Sequence, residues 1–158
     1  MVVAPLELLN PEQEFDSIPT HVTIFPWFDL ETKYWNQFDA EMQEVMEQTV
    51  APTIVGGDSV FFGDNEDIEA RRLNALSPTF NPINGFNIHA GVHNAVHAYG
   101  DNFDTTYTGV VWRPHVTNSD QFQLAYGEEI AIESLAVIER RENQRRKLVK
   151  AVYRWGNV

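Results

Sequence analysis

The tripeptide His-Val-Thr occurs twice in the chain, as His21-Val22-Thr23 and as His115-Val116-Thr117. An unperturbed imidazole titrates at about pH 6.5, so at neutral pH one histidine can accept a proton while a second one donates a proton. A threonine hydroxyl can donate a hydrogen bond to a phosphate oxygen on which negative charge builds up. The two tripeptides therefore contain the groups that phosphodiester cleavage by acid/base catalysis requires.

Both copies lie in segments with the pattern of a β-strand. The first falls in a predicted strand from Thr20 to Phe28, and the second in a predicted strand from Tyr107 to Asn118. Side chains two residues apart in a strand point to the same face, so each histidine shares a face with its threonine, and the valine takes the other face. Two such strands facing each other across a cleft would bring two imidazoles and two hydroxyl groups together.

The remaining elements predict an α+β fold made of two similar halves. Glu31 to Val50 carries one apolar stripe at helical spacing and predicts the first helix, and Asn84 to Tyr99 predicts the second. The alternation of apolar residues changes parity at Glu133-Ser134, which indicates a β-bulge there. Further strands are predicted at Val2 to Leu9, Thr53 to Phe62, Ile68 to Leu76, Glu129 to Arg140 and Arg145 to Trp155.

Length and composition limit the class of protein. A chain of 158 residues with 43% apolar residues fits one domain, 1–158, that can bury a core of its own. The absence of cysteine excludes a disulfide framework, a thiolate zinc site and a cysteine nucleophile. We find neither a signal peptide nor a run of apolar residues long enough to span a membrane, and expect a cytoplasmic protein.

The charge of the chain argues against long nucleic acids as partners. Eleven basic residues stand against 23 acidic ones, which gives a net charge of −12. Seven of the basic residues lie after residue 139, which leaves four in the first 139 residues. Since binding to long DNA or RNA depends on neutralising many phosphates, we expect a short nucleotide bound in a pocket.

The paired tripeptides resemble the two H-x-T motifs of the two-histidine (2H) phosphoesterases, the superfamily of bacterial 2′-5′ RNA ligases and RNA 2′,3′-cyclic phosphodiesterases. Residues 19–24 resemble the first motif and residues 113–117 the second, while residues 135–139 and 149–155 resemble the closing strand pair. The resemblance implies a bilobal, pseudo-symmetric α+β fold. In that fold, two mostly antiparallel sheets form a V-shaped cleft with the helices on the outside.

The resemblance also implies a reaction and its residues. His21 and His115 would be the acid/base pair, Thr23 and Thr117 would bind the phosphate, and neither a metal nor a cofactor would be needed. The expected substrate is a 2′,3′-cyclic phosphate or a short 2′-5′-linked nucleotide, linear or cyclic, or an RNA end. The strong acidity and the polar Asn118 after the second motif depart from the family's pattern and favour a small nucleotide over tRNA. We expect a monomer that binds neither membranes nor long DNA.

Four further residues are candidates for substrate binding. Arg113, two residues before His115, could reach a phosphate. Phe25 and Phe28 follow the first tripeptide and Tyr126 follows the second, and an aromatic ring at such a position could stack on a nucleobase.

Three other functions remain open at this point. The chain could be a 2′-5′ RNA ligase acting on tRNA halves, or a nucleotide- or RNA-binding domain without catalytic activity. His89 and His93, one turn apart on the second predicted helix, could instead chelate zinc. His97 lies two turns from His89, a rise of about 12 Å, which is too far for both to bind one ion.

Overall fold

The computed structural model describes residues 1–62, 68–73, 82–106, 108–109, 112–119, 121–140 and 146–156. Within these residues the two helices are α1 (Trp35–Gln48), preceded by a 3-10 turn at Thr32–Tyr34, and α2 (Pro82–Tyr99). The strands are β1 (Val2–Pro5), β2 (Glu14–Phe15), β3 (His21–Phe25), β4 (Asp29–Leu30), β5 (Thr53–Phe62), β6 (Ile68–Leu73), β7 (Gly100–Asp101), β8 (His115–Thr117), β9 (Glu129–Ala131), β10 (Ser134–Arg140) and β11 (Lys147–Arg154).

Nine of the described strands form one antiparallel sheet in the order β2-β11-β10-β1-β3-β8-β6-β5-β9, and β4 pairs with β7 apart from it. The predicted α+β class is therefore confirmed. The strands with the two tripeptides, β3 and β8, are hydrogen-bonded neighbours in the interior of this sheet. The strands of the two halves thus join into one continuous sheet, whereas the sequence predicted two sheets.

Both helices cover the same face of the sheet and bury the main core there. The helix residues in this core are Phe38, Met42, Val45 and Met46 of α1 and Ile88, Val92, Ala95 and Val96 of α2. The sheet contributes Val2, Ala4, Val22, Ile24, Val116, Leu135 and Val137. Close contact between the helices depends on Gly91, because a Cβ atom at this position would lie 2.7 Å from Cγ2 of Val45. A larger residue at this crossing would require the side chain of Val45 or one of the helices to shift.

The opposite face of the sheet carries a second, smaller apolar cluster at the end formed by β1, β10 and β11. Its buried members are Met1, Val3, Leu9, Ala136, Ile138 and Val149, and Phe15, Ile18, Trp27 and Val152 pack around them. The neighbouring strands β3 and β8 present their histidines and threonines on this same face, since Val22 and Val116 take the helix-covered side. This second face is therefore where the chemistry expected from the sequence would occur.

Two predictions about the strands are wrong: one strand is shorter than expected, and one change of parity has a different origin. The strand expected at Tyr107 to Asn118 is limited to His115–Thr117 among the described residues, because residues 112–114 are not in a strand. The parity change at Glu133-Ser134 is a break between two strands and not a bulge. β9 pairs with β5 at one edge, whereas β10 pairs with β1 and β11 on the other side of β3.

Several strand ends differ from those predicted, and some fall outside the described residues. β1 ends at Pro5 and β6 is described to Leu73, so the predicted residues 74–76 lie outside the described part. The polar residues at 63–67 and 142–144 predict turns in the sequence, and both segments lie outside the described part as well. β5 has the predicted bounds, Thr53–Phe62.

Candidate active site

The register between β3 and β8 brings the two tripeptides side by side. Val22 lies directly opposite Val116 in this antiparallel pair, and both valines are buried beneath the helices. The register therefore sets His21 across from Thr117 and Thr23 across from His115, with all four side chains on the uncovered face. Thr117 is exposed and the other three residues are half-buried. The two strands, considered above as facing each other across a cleft, are adjacent strands of one sheet.

The two histidines make the same hydrogen bond. Nδ1 of His21 lies 2.7 Å from the carbonyl oxygen of Pro19, and Nδ1 of His115 lies 2.9 Å from the carbonyl oxygen of Arg113, in each case the residue two positions earlier. A carbonyl oxygen only accepts hydrogen bonds, so Nδ1 is the protonated nitrogen in both rings. Nε2 is then the atom that takes up or releases a proton on each histidine.

The environment of His21 favours its neutral form. Burial lowers the pKa of His21, the hydrogen bond to Pro19 raises it, and the nearby His115 lowers it further. The pKa of His21 lies below the ordinary value of 6.5, so its ring is uncharged at neutral pH. A neutral imidazole with its proton on Nδ1 can accept a proton at Nε2.

A β-bulge in β3 determines which side chains reach this face. Thr23 lies opposite Val3 and Phe25 lies opposite Val2, which leaves Ile24 as an extra residue between the two pairs. The extra residue turns Phe25 to the helix-covered side, where it is fully buried. Simple alternation along the strand would have placed Phe25 beside His21 and Thr23.

The bulge overturns the predicted role of Phe25 in base stacking. Its ring packs edge-on against Phe28 and Phe103, at centroid distances of 5.9 and 5.5 Å, and it has no exposed surface for a substrate. Phe28 also packs into the main core, 5.7 Å from the ring of Phe38. Both phenylalanines belong to the core beneath the sheet, so the structure does not bring them to the candidate site.

The other two candidates for substrate binding, Tyr126 and Arg113, lie in different parts of the structure. Tyr126 is 69% exposed in a turn whose Gly127 N–H donates to the carbonyl oxygen of Gly56, 2.7 Å away. It is not among the described residues that line the cavity at His115, and its stacking role stays a prediction. Arg113 does line that cavity.

A cavity of about 200 Å³ adjoins His115 on the side of β5 and β6. It is lined by Val60, Phe61, Arg72, Arg113, Pro114 and His115. Arg72 lies directly opposite His115 in the pairing of β6 with β8, so the two side chains share a face. Sequence reasoning missed Arg72, because its position beside His115 follows from the pairing of strands more than 40 residues apart. Its one signal was a basic residue in a predicted strand of an acidic chain.

A third histidine, His89 of α2, lies directly beneath β3 and is 1% exposed. Its Nδ1 donates to the carbonyl oxygen of Ile24 at 2.8 Å, and its Nε2 accepts from the backbone N–H of Gly109 at 2.8 Å. Both ring nitrogens are thus committed to the backbone, so the proposed chelation of zinc by His89 and His93 does not fit. No cluster of three or more potential metal-ligating side chains occurs in the described part of the chain.

Trp112 connects His89 to the strand of the first tripeptide. The indole ring stacks on the imidazole of His89 with centroids 4.5 Å apart and planes 2° from parallel. Its Nε1 donates to the carbonyl oxygen of Thr23 at 3.1 Å. The consecutive carbonyls of Thr23 and Ile24, at the bulge, therefore accept hydrogen bonds from two stacked side chains. Because Trp112 is three residues before His115, this contact ties the approach to the second tripeptide to the first.

Comparison with known proteins does not assign the chain to a family. None of the family models matches it, and no curated protein gives a significant match. In the residues that the structure describes, no helix combines the length and apolar character needed to cross a membrane.

Proposed function

We propose that the protein is a metal-independent phosphodiesterase that uses His21 and His115 as a general acid/base pair. One observation carries this proposal: the two histidines lie on adjacent strands and share a face, and each donates Nδ1–H to the carbonyl two residues earlier. Two rings held in the same tautomer both have Nε2 as the nitrogen that exchanges a proton. A threonine accompanies each histidine on that face.

The histidines take different roles in the proposed reaction. The Nε2 atom of neutral His21 accepts a proton from a water molecule, whose oxygen attacks the phosphorus atom of a 2′,3′-cyclic phosphate. The bond from phosphorus to the 3′ oxygen breaks, and protonated His115 gives its Nε2 proton to that oxygen. The products are a 2′-phosphate and a free 3′ hydroxyl, and exchange of protons with solvent restores both histidines. The lowered pKa of His21 supports its role as the base.

The threonines stabilise charge on the phosphate in this proposal. Thr23 lies across from His115 and Thr117 across from His21, so each hydroxyl adjoins the histidine of the other strand. Their hydroxyl groups donate hydrogen bonds to the non-bridging oxygens as negative charge grows on them in the transition state.

The finer architecture is part of the proposal. Strands β10, β1 and β3 lie on one side of the junction between the tripeptides, and β8, β6 and β5 lie on the other. We treat these two groups as the two lobes, with the substrate bound at their junction on the face away from the helices. The arrangement of His21 and His115 about this junction supports a pseudo-twofold relation.

The proposed substrate is a 2′,3′-cyclic phosphate or a short 2′-5′-linked nucleotide, processed by a monomer in the cytoplasm. The net charge of −12 supports a short substrate, because a long RNA would meet strong repulsion outside the site. Ligation of tRNA halves and binding without turnover are the alternatives that the experiment below distinguishes.

The decisive experiment is turnover of a substrate panel in the presence of EDTA. The panel contains a nucleoside 2′,3′-cyclic phosphate, 2′-5′-linked oligoadenylate and 3′-5′ cyclic dinucleotides. We expect wild-type protein to cleave at least one of them, and the folded His21→Ala, His115→Ala double variant to lose that activity. Equal turnover by the variant, or complete inhibition by EDTA, contradicts the proposal. Binding of a panel member without turnover favours a binding domain, and joining of tRNA halves favours a ligase.

A further inference from the structure

The cavity beside His115 concentrates positive charge in an acidic chain. Before residue 140 the chain has four basic residues, which are Lys33, Arg71, Arg72 and Arg113. Two of them, Arg72 and Arg113, line this single cavity next to His115. Arg71 serves the fold instead, because its guanidinium donates to the backbone carbonyls of Leu124 and Gly57 at 2.9 and 3.2 Å.

The chemistry of the lining favours an anion. None of the described lining residues is acidic, so no carboxylate among them offsets the two guanidinium groups. Both arginine side chains are exposed, which leaves their N–H groups accessible to a ligand. Guanidinium groups present several donors in a planar array and bind phosphate oxygens in pairs. The cavity volume of about 200 Å³ is enough for a phosphate group.

The cavity lies beside the proposed reaction centre and not within it. Arg72 is opposite His115 on β6, one strand farther from β3, so it extends the site away from His21. On the other side of the site, the β1 residues next to the tripeptide are apolar, since Pro5 lies opposite His21 and Val3 lies opposite Thr23. Of the two strands that adjoin the paired tripeptides, β6 therefore places an arginine beside the site and β1 places apolar residues there.

We propose that Arg72 and Arg113 bind a second phosphate of the substrate while the reacting phosphate lies between His21 and His115. This inference rests on the proposed function and narrows its substrate class. The preferred substrate carries at least two phosphates, as in a dinucleotide or a 5′-phosphorylated nucleotide, and a nucleoside with only a cyclic phosphate is a poor substrate. The second phosphate lies on the β6 side of His115.

Matched ligands test this inference. The probes are adenosine 2′,3′-cyclic phosphate, the same compound with a 5′-phosphate, and a 3′-5′-linked diadenylate that ends in a 2′,3′-cyclic phosphate. Their dissociation constants are measured by calorimetry on the His21→Ala variant, which retains His115 and the cavity. We expect at least one two-phosphate probe to bind about ten- to hundred-fold more tightly than the one-phosphate probe, and this preference to weaken with added salt.

Variants in which uncharged glutamine replaces an arginine show whether the arginines cause the tighter binding of the two-phosphate probes. Arg72→Gln and Arg113→Gln, each introduced into the His21→Ala background, should reduce the preference about tenfold, because each removes one charged donor group. Arg146→Ala is the matched control: it also removes one positive charge, but Arg146 pairs with Glu14 and Asp16 at the far edge of the sheet. The control should leave the preference unchanged.

The outcomes separate this inference from the proposed function. Equal binding of all three probes, or a preference that survives both glutamine substitutions, overturns the inference even when wild-type protein cleaves the probes. A preference that depends on the two arginines, in a protein that cleaves none of the probes, supports the anion site and counts against the proposed reaction.

Discussion

The pair His21 and His115 can be compared with His89, because all three histidines use Nδ1 in the same way. Each ring donates from Nδ1 to a backbone carbonyl, at distances between 2.7 and 2.9 Å. The difference lies in how deeply each ring is buried. Nε2 of His89 accepts a backbone N–H and the ring is 1% exposed, whereas the other two rings are half-buried on the uncovered face.

The comparison shows that a fixed tautomer is not by itself a sign of catalysis. His89 is a structural residue: it links α2 to the bulge in β3 and to the loop at Gly109, and any proton added to its ring would displace a hydrogen bond. In His21 and His115 the same Nδ1 bond instead orients a ring at the surface. The two classes differ in where the ring lies: His89 is buried beneath the sheet with Nε2 bonded to the backbone, whereas His21 and His115 are half-buried on the uncovered face.

Replacing each of the three histidines with asparagine should give the largest difference between the surface pair and His89. The amide group of asparagine can replace the Nδ1 donor, but it has no atom equivalent to Nε2. We expect His21→Asn and His115→Asn each to lower kcat by about 10²- to 10⁴-fold, because each removes one proton-transfer group. The free energy of unfolding, measured with urea, should change by less than about 1 kcal/mol in these two variants.

His89→Asn should show the opposite pattern. It leaves the buried N–H of Gly109 without its acceptor and removes the ring that stacks on Trp112, so the free energy of unfolding should fall by roughly 2–4 kcal/mol. The rate per folded molecule should stay within about tenfold of wild type. A thousandfold loss of rate at His89, or full activity after substitution of His21, would remove the distinction between the two classes.

The pH dependence of the rate tests the role of His21 as the base. His21 must be neutral to accept a proton, and burial lowers its pKa below 6.5. The value of kcat/KM should therefore stay high as pH falls to about 6.5 and decline only below it, as the ring of His21 becomes protonated. An acid limb centred above pH 7 would contradict the role of His21 as the base.

The main features of the site could be read from the sequence because they depend on local patterns. The repeated tripeptide, the alternation that places each histidine with its threonine, and the apolar stripe of α1 are all properties of short segments. The stripe is confirmed by the burial of Phe38, Met42, Val45 and Met46. Arg113 was also named from the sequence, because it lies two residues from His115 in the chain, and the structure places it in the lining of the cavity.

Features that depend on pairing between distant strands were missed or misjudged. Arg72 lies beside His115 only because β6 pairs with β8, and Phe25 turns away from the site only because β1 leaves Ile24 unmatched in β3. The break at Glu133-Ser134 was misread as a bulge for the same reason, since the partners of β9 and β10 lie in different parts of the sheet. A sequence pattern indicates which face of a strand each side chain takes. The neighbouring strands in the sheet determine where that alternation is interrupted.

The burial of His89 predicts how the free energy of unfolding depends on pH. Burial lowers the pKa of His89, so the unfolded chain takes up a proton at about pH 6.5 while the folded chain does so only at lower pH. The contribution of His89 to stability is therefore complete above pH 6.5, and it decreases as pH falls through the interval down to the folded-state pKa. The slope in this interval is at most about 1.4 kcal/mol per pH unit.

The measurement is the difference in free energy of unfolding between wild type and His89→Asn, from urea curves at several pH values. The pKa values of His21 and His93 are also lowered by burial, but both residues are present in the two proteins and their contributions largely cancel. The difference should be constant above pH 7 and shrink below pH 6.5. A difference that grows as pH falls would show that His89 is stabilised in its protonated form.

The smallest expected effect concerns the hydrogen bond from Trp112 to the carbonyl of Thr23. Trp112→Phe keeps an aromatic ring against His89 but removes the Nε1–H donor, so we expect a loss of about 1 kcal/mol in the free energy of unfolding. This bond also joins the segment before His115 to the strand of the first tripeptide. Its loss should therefore lower kcat a few-fold while KM changes less, because the two histidines are then less firmly aligned. If Trp112→Phe lowers stability with no change in kcat, the stacked pair supports the fold alone, and the register of β3 with β8 suffices to position the histidines.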